Sequence, residues 1–191
     1  MSPALQGPRA SASRRLYYLL LARWLSAPAT DHDLAMARAL SGGALDALAR
    51  SAAVASRDAL ADEFQRLFIG IGGGVLLPYA SYYLAGSLQD RPLIDARRAM
   101  ATLGLRRVEA VREPEDHIAT MLEVMAVQLS RNDASTADEF FATHIEPWAG
   151  RLFADLSRAS PDTVYGAIGE LGSWLIEHES RLASARRAQV K

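Results

Sequence analysis

Glu113-Pro114-Glu115-Asp116-His117-Ile118 opens the most strongly patterned segment of the chain. A proline at the first helical position is tolerated because the amide it lacks would be unpaired there anyway. The pattern predicts a helix from Pro114 to about Arg131, with Glu113 as a mediocre N-cap. Glu115 and Asp116 would lie in the first turn, where the helix dipole favours negative charge. Apolar residues follow at Ile118, Met121, Leu122, Met125 and Leu129, which is one helical stripe. The segment therefore predicts two acids and an imidazole, His117, at the exposed start of a helix whose flank is buried.

The same periodicity recurs on both sides. Helices are expected from about Ala12 to Ser26, from Thr30 or Asp31 to the Ser41-Gly42-Gly43 stop, from Ala44, and from Arg57 to Phe68. Others are expected from Ser81, from Pro92 to Gly104, from Ser135 to Ile145 and from Pro147 to Ala159. Ser160-Pro161-Asp162 starts the last one. The first helix would bury Leu16, Leu19, Leu20 and Trp24. The last carries the stripe Val164, Ile168, Leu171, Leu175 and Leu182, with His178 on it as a packed, hydrogen-bonded core residue. Gly166, Gly169 and Gly172 lie close together on that helix, where each costs about 1 kcal/mol of helix propensity. Their presence predicts close approach of a neighbouring helix. No strand-like alternation persists anywhere. The expectation is an all-α, single-domain helical bundle over residues 12–185, preceded by a flexible tail at 1–11 and followed by a basic tail at 186–191. A hinge-like connector at about 104–112, carrying Arg106, Arg107 and Arg112, separates the N- and C-terminal helical halves.

Composition narrows the function. The 191 residues are half hydrophobic and 23% charged, with a formal net charge of −1, so no bulk field points to nucleic acid. There is no cysteine, which excludes disulfides, thiolate catalysis and cysteine-bound zinc. His32, His117, His144 and His178 lack metal-ligand spacing, so no metal site is expected. Gly70-Ile71-Gly72-Gly73-Gly74 lacks the Lys-Ser/Thr of a phosphate loop and reads as an irregular loop. Ser13-Arg14-Arg15-Leu16 looks like an export signal, but Arg23 and Trp24 interrupt its apolar run, and the core-helix reading is preferred. No stretch approaches the ~18 apolar residues of a membrane span, so no stable membrane insertion is expected.

Three stretches carry a resemblance. The first is Glu113 to Ile118. The second is Glu63-Phe64-Gln65-Arg66-Leu67-Phe68, followed after the glycines by Leu77-Pro78-Tyr79-Ala80-Ser81-Tyr82-Tyr83-Leu84. The third is Phe140-Phe141-Ala142-Thr143-His144-Ile145-Glu146-Pro147-Trp148, running on to Phe153. In order and spacing, from about residue 14 to 180, the chain resembles the TorD/DmsD/NarJ family of molybdoenzyme maturation chaperones, and the TorD branch most. Tyr79 departs from the family pattern, where tryptophan is frequent.

The resemblance implies a non-enzymatic cytoplasmic chaperone. Its partner would be the apo catalytic subunit of a molybdopterin oxidoreductase, held through its twin-arginine signal peptide. The residues it points to are Phe64, Leu67, Phe68, Pro78, Tyr79, Ser81 and Tyr82 for an apolar groove. Glu113, Pro114, Glu115, Asp116, His117 and Glu123 would form the acidic part. Carboxylates suit this task because a guanidinium can engage one through two parallel hydrogen bonds. No resident cofactor is expected. A weak contact with a guanine nucleotide or the molybdopterin cofactor follows from the resemblance alone, and a homodimer formed by helix exchange at the connector is left open. The rival readings are a helical ligand-sensing regulator, another helical peptide-binding protein and a cofactor-binding helical enzyme. The regulator would need a basic DNA-reading helix and the enzyme ligand-spaced side chains, and neither is found.

Overall fold

The computed structural model describes residues 8–70, 74–109, 111–131 and 133–189. Ten α-helices follow in order among them: α1 (Pro8–Ser26), α2 (Asp31–Ala39), α3 (Leu45–Val54), α4 (Arg57–Phe64), α5 (Ala80–Ala85), α6 (Arg91–Thr102), α7 (Ile118–Ser130), α8 (Ala134–Phe140), α9 (Ala149–Ala159) and α10 (Val164–Gln189). One π-helical turn prolongs α4 over Gln65–Ile69 and another prolongs α8 over Phe141–Ile145. No strand occurs among the described residues; Tyr79 and His117 form one isolated antiparallel bridge. The all-α expectation holds.

Local chemistry accounts for most boundaries. Thr30 and Asp33 form a reciprocal capping box at the start of α2. Ser56 caps α4 through the Ala59 amide, and Asp133 caps α8 through the Thr136 amide, two residues before the expected Ser135. Gly104, at φ 68°, ends α6 in the left-handed conformation that glycine adopts without strain. Two boundaries shift outward. Helix α1 starts at Pro8, so only residues 1–7 of the expected tail remain, and they lie outside the described residues. Helix α10 continues to Gln189, taking in Arg186, which pairs with Asp138 of α8.

Helix α7 is the hub. Besides the expected Ile118, Met121, Leu122, Met125 and Leu129, it buries Ala119, Val124, Ala126 and Gln128, so it is enclosed on nearly every side. Helix α1 packs along it, α9 packs along α10, and α10 also touches α1 and α3. Elements from both sequence halves thus share one core. The buried face of α1 is Tyr18, Leu21, Ala22, Trp24 and Leu25, whereas Leu16 is 65% exposed. Of the expected face, Trp24 is buried and Leu19 and Leu20 pack partly buried against the core, so only Leu16 falls outside it. On the same helix Arg14 turns inward to a buried ion pair with Glu179 of α10. His178 is also corrected: it is half-buried, its ring stacked on Trp174 at 5.3 Å, and its Nε2 makes no hydrogen bond.

The glycine stripe of α10 does what its spacing predicts. A Cβ on Gly169 would lie 2.6 Å from the Ser157 amide nitrogen and 2.7 Å from the Phe153 carbonyl oxygen. One on Gly172 would meet the Phe153 ring. Only glycine lets α9 and α10 come this close.

Candidate functional site

The site forms where the chain after α4 returns to meet the start of α7. Gly70, at φ 35°, turns the chain out of the π turn. Leu76 then donates to the Leu67 carbonyl at 2.8 Å. At Gly74 a Cβ would come within 2.7 Å of the Phe68 backbone, so a side chain is excluded there by packing. Gly70 and Gly74 therefore serve chain geometry, and Ile71–Gly73 lie outside the described residues.

Pro78-Tyr79-Ala80 next runs antiparallel to Asp116-His117-Ile118. Ile118 donates to the Pro78 carbonyl at 2.9 Å, and Ala80 donates to the Asp116 carbonyl at 3.0 Å. The Asp116 side chain extends this seam, its Oδ2 accepting the Ser81 amide at 2.9 Å. Tyr79, at the N-cap of α5, makes no side-chain capping bond, so Asp116 caps α5 from a distant part of the chain. His117 caps α7, its Nδ1 accepting the Ala119 amide at 3.2 Å.

These contacts correct the expected helix start. Helix α7 begins at Ile118, not Pro114, because the Asp116 and His117 backbone is committed to the bridge with Pro78–Ala80. Asp116 and His117 are 1% and 5% exposed. Neither occupies an open helix mouth. Asp116 Oδ1 and Ser81 Oγ are buried in the seam without hydrogen bonds. Burial drives the His117 imidazole down to about 4, against the upward pull of Glu113 and Asp116, so it is neutral and able to accept.

The three glutamates differ sharply. Glu113 is exposed and accepts a hydrogen bond from the Tyr79 hydroxyl. Burial, and then that acceptor, hold the hydroxyl well above its usual range. Glu115 is already ion-paired, with Arg97 Nε at 2.7 Å and Arg107 Nε at 3.5 Å. Partial burial would raise its carboxyl, but the Arg97 hydrogen bond, a backbone bond and the two arginine charges outweigh that and lower it. Glu123 is exposed on α7 beside a crevice of about 160 Å³, lined in part by Val108, Val111 and Val127; desolvation there raises its carboxyl.

The apolar residues divide by depth. Phe64 and Leu67 are buried in the core. Phe68 is half-buried, with its ring 5.0 Å from Phe64 and 5.9 Å from Tyr165. Packed inward in this way, Phe64 and Leu67 do not line an open trough. Pro78 and Ser81 are buried in the seam, and Pro114 is half-buried beside it. The reachable residues are Tyr79, Tyr82 and Glu113, and Leu84 on α5, Leu88 in the α5–α6 connection and Ile94 on α6 are also exposed. Tyr79 packs edge-on against His117 at 5.1 Å, which fixes its ring.

Sequence reasoning missed Arg97 and Arg107 as partners of Glu115. Arg107 lies in the same connector, but Arg97 is 18 positions away and nothing in the pattern marks it. It also missed Tyr83, whose hydroxyl donates to Asp155 at 2.9 Å beneath Arg151. His144 packs locally: its ring lies 5.0 Å from Phe140 and its carbonyl accepts Trp148 Nε1 at 2.7 Å. Among the described residues no group of three or more histidines and carboxylates could hold a metal ion, and no helix is long and apolar enough to cross a membrane.

Comparison with known proteins agrees with this architecture. A family model described as nitrate reductase delta subunit matches residues 34–154. The chaperone protein TorD of Actinobacillus succinogenes is 33% identical over 101 residues, covering 53% of this chain and 52% of the relative. TorD of Vibrio parahaemolyticus is 34% identical over 76 residues, covering 39% and 35%. The Tat proofreading chaperone DmsD of Salmonella typhimurium is 29% identical over 119 residues, covering 61% and 58%. The matched stretches thus span about a third to three-fifths of these relatives' length. A crystal structure assigned as a redox enzyme maturation protein from Archaeoglobus fulgidus superposes with a TM-score of 0.62 at 22% identity, covering 86% of this chain and 93% of that one. At that identity the likeness concerns the fold.

Proposed function

As the chain belongs to the TorD/DmsD/NarJ family of redox-enzyme maturation chaperones, we propose that it is a cytoplasmic, non-enzymatic chaperone for a molybdopterin oxidoreductase. It binds the twin-arginine signal peptide of the apo catalytic subunit and holds that subunit until its cofactor is inserted. The observation that carries this reading is the seam between Pro78–Ser81 and Asp116–Ile118. It fixes Tyr79 against His117 and holds Glu113, an acid with no cationic partner among the described residues, at the Tyr79 hydroxyl.

Each part has a separate task. Asp116 and His117 build the seam and fix the two helix starts. Glu113 and Glu123 offer carboxylates to guanidinium groups, and Tyr79 and Tyr82 offer rigid, amphipathic area to the apolar part of the signal. Burying about four apolar anchors gains roughly 6–12 kcal/mol. Association and ordering cost about 4–15 kcal/mol. Apolar contact alone is therefore marginal, and the arginine contacts decide whether binding occurs. Roughly micromolar holding, about −8 kcal/mol, is expected, and it leaves the client releasable.

The test is calorimetric titration with a twin-arginine signal peptide and its twin-lysine counterpart. Wild type should prefer the arginine peptide, and Glu113→Gln should weaken its binding about five- to tenfold with an unchanged melting temperature. Equal affinity for the two peptides would sink the proposal.

A further inference from the structure

Glu115 of the acidic signature is not waiting for a client. Arg97 reaches its carboxylate from α6 and Arg107 reaches it from the connector, at 2.7 and 3.5 Å. The Glu115 side chain is only 14% exposed, but those of Arg97 and Arg107 are 53% and 32% exposed. The acid is thus recessed while both of its partners lie where a ligand can displace them. A cavity of about 270 Å³ adjoins the cluster, lined by Arg97, Met100, Leu105, Arg106, Arg107 and Glu115 among others. Arg106 precedes Arg107, is exposed and has no hydrogen-bond or ion-pair partner among the described residues. The connector therefore sets one of its two adjacent arginines, Arg107, against an acid of the signature, with Arg106 free beside it.

Resting on the peptide-binding reading above, we infer that Arg97 and Arg107 are internal competitors for Glu115 and set the specificity of the site for ligands carrying two adjacent arginines. An incoming guanidinium replaces like with like at Glu115, so a single arginine gains almost nothing from the exchange. A ligand with two adjacent arginines can replace both contacts in one binding event, the second as an intramolecular step. A lysine cannot, because its ammonium lacks the planar fork that matches a carboxylate. The other charges lining the cavity are Arg106 and Glu109 on the connector. Asp95 is engaged by Arg91 and Arg98, so it does not hold Arg97 in place.

A purely bracing role for these ion pairs makes the opposite prediction, since removing a brace lowers stability and affinity together. Arg97→Gln, Arg107→Gln and the double variant should be titrated with Arg-Arg, Lys-Arg and Lys-Lys versions of one signal peptide, alongside thermal melts. The expected result is a three- to tenfold gain in affinity for the Arg-Arg and Lys-Arg peptides. The ratio between those two peptides should shrink, and melting should stay within a few degrees of wild type. In a Glu115→Gln background the gain should vanish, because the contested acid is gone. Should Arg97→Gln melt early, Arg107→Lys keeps the charge, loses the Nε contact to Glu115 and should still shrink the ratio. If wild type prefers Arg-Arg over Lys-Lys and the variants bind as wild type or more weakly, the competitor role is overturned while the peptide-binding reading stands. If no protein in the series distinguishes the peptides, both fall.

Discussion

The Asp116 carboxylate accepts the Ser81 amide while its own carbonyl accepts the Ala80 amide, so one residue anchors α5 twice. Removing a buried acceptor leaves the donor unsatisfied, which costs about 1–3 kcal/mol. Asp116→Ala should therefore lose about that much stability in urea denaturation, and Asp116→Asn, which keeps an acceptor, distinctly less. His117 adds a pH dependence. The folded protein holds it neutral down to about 4, against an ordinary value of 6.5. Between those values the unfolded chain binds a proton that the folded chain does not, so stability rises with pH across the window and is lost as pH falls from about 6.5 toward 4. At pH 5 the loss from this residue should approach about 2 kcal/mol. His117→Asn can still cap α7 without titrating, and should lose less stability than wild type between pH 7 and pH 5. An equal loss in both proteins would show that His117 is not the group responsible.

At the level of helices, α9 and α10 show two effects in conflict. Replacing a mid-helix glycine by alanine gains about 1 kcal/mol in helix propensity. At Gly169, however, the new Cβ meets the backbone of α9, which cannot rotate away as a side chain would. Forced overpacking costs about 1–3 kcal/mol. The clash wins, and Gly169→Ala should lower the thermal midpoint; a rise would mean that α9 can slide. This glycine stripe was legible beforehand because small residues at helical spacing have few other reasons to persist in a helix interior. The start of α7 was not legible. Proline and two acids are ordinary first-turn residues, but a bridge to Pro78–Ala80, some 35 positions away, claimed the backbone first. On helix α1 the miss was smaller: Leu16 lies outside the buried face, which takes in the charged Arg14 that no apolar pattern marks.

That arginine belongs to the scale of the whole molecule. Arg14 and Glu179 form a bidentate pair, Nε donating to Oε1 at 2.7 Å and a second guanidinium nitrogen donating to Oε2, and they tie the first helix to the last. Both are buried. Removing one partner strands a charge, which costs about 3–5 kcal/mol, whereas replacing both with apolar residues of similar volume is often neutral or better. Arg14→Met and Glu179→Leu should each destabilise strongly in chemical denaturation, and the double variant should recover most of the loss. Additive losses would show that the pair itself supplies the stability.

The residues along the chain were enough to establish a helical bundle, most of its helices, the family, and the stretches that meet at the site. These depend on local spacing and on signatures carried by short segments. Which carboxylate is buried as a cap, which is held by two arginines and which is open to a ligand depended on contacts between Pro78–Ser81, Arg97, Arg107 and Glu113–His117. Asp and Glu look alike in a linear pattern. Their roles separate only when distant segments come within hydrogen-bond reach and water is removed from some of them and not from others.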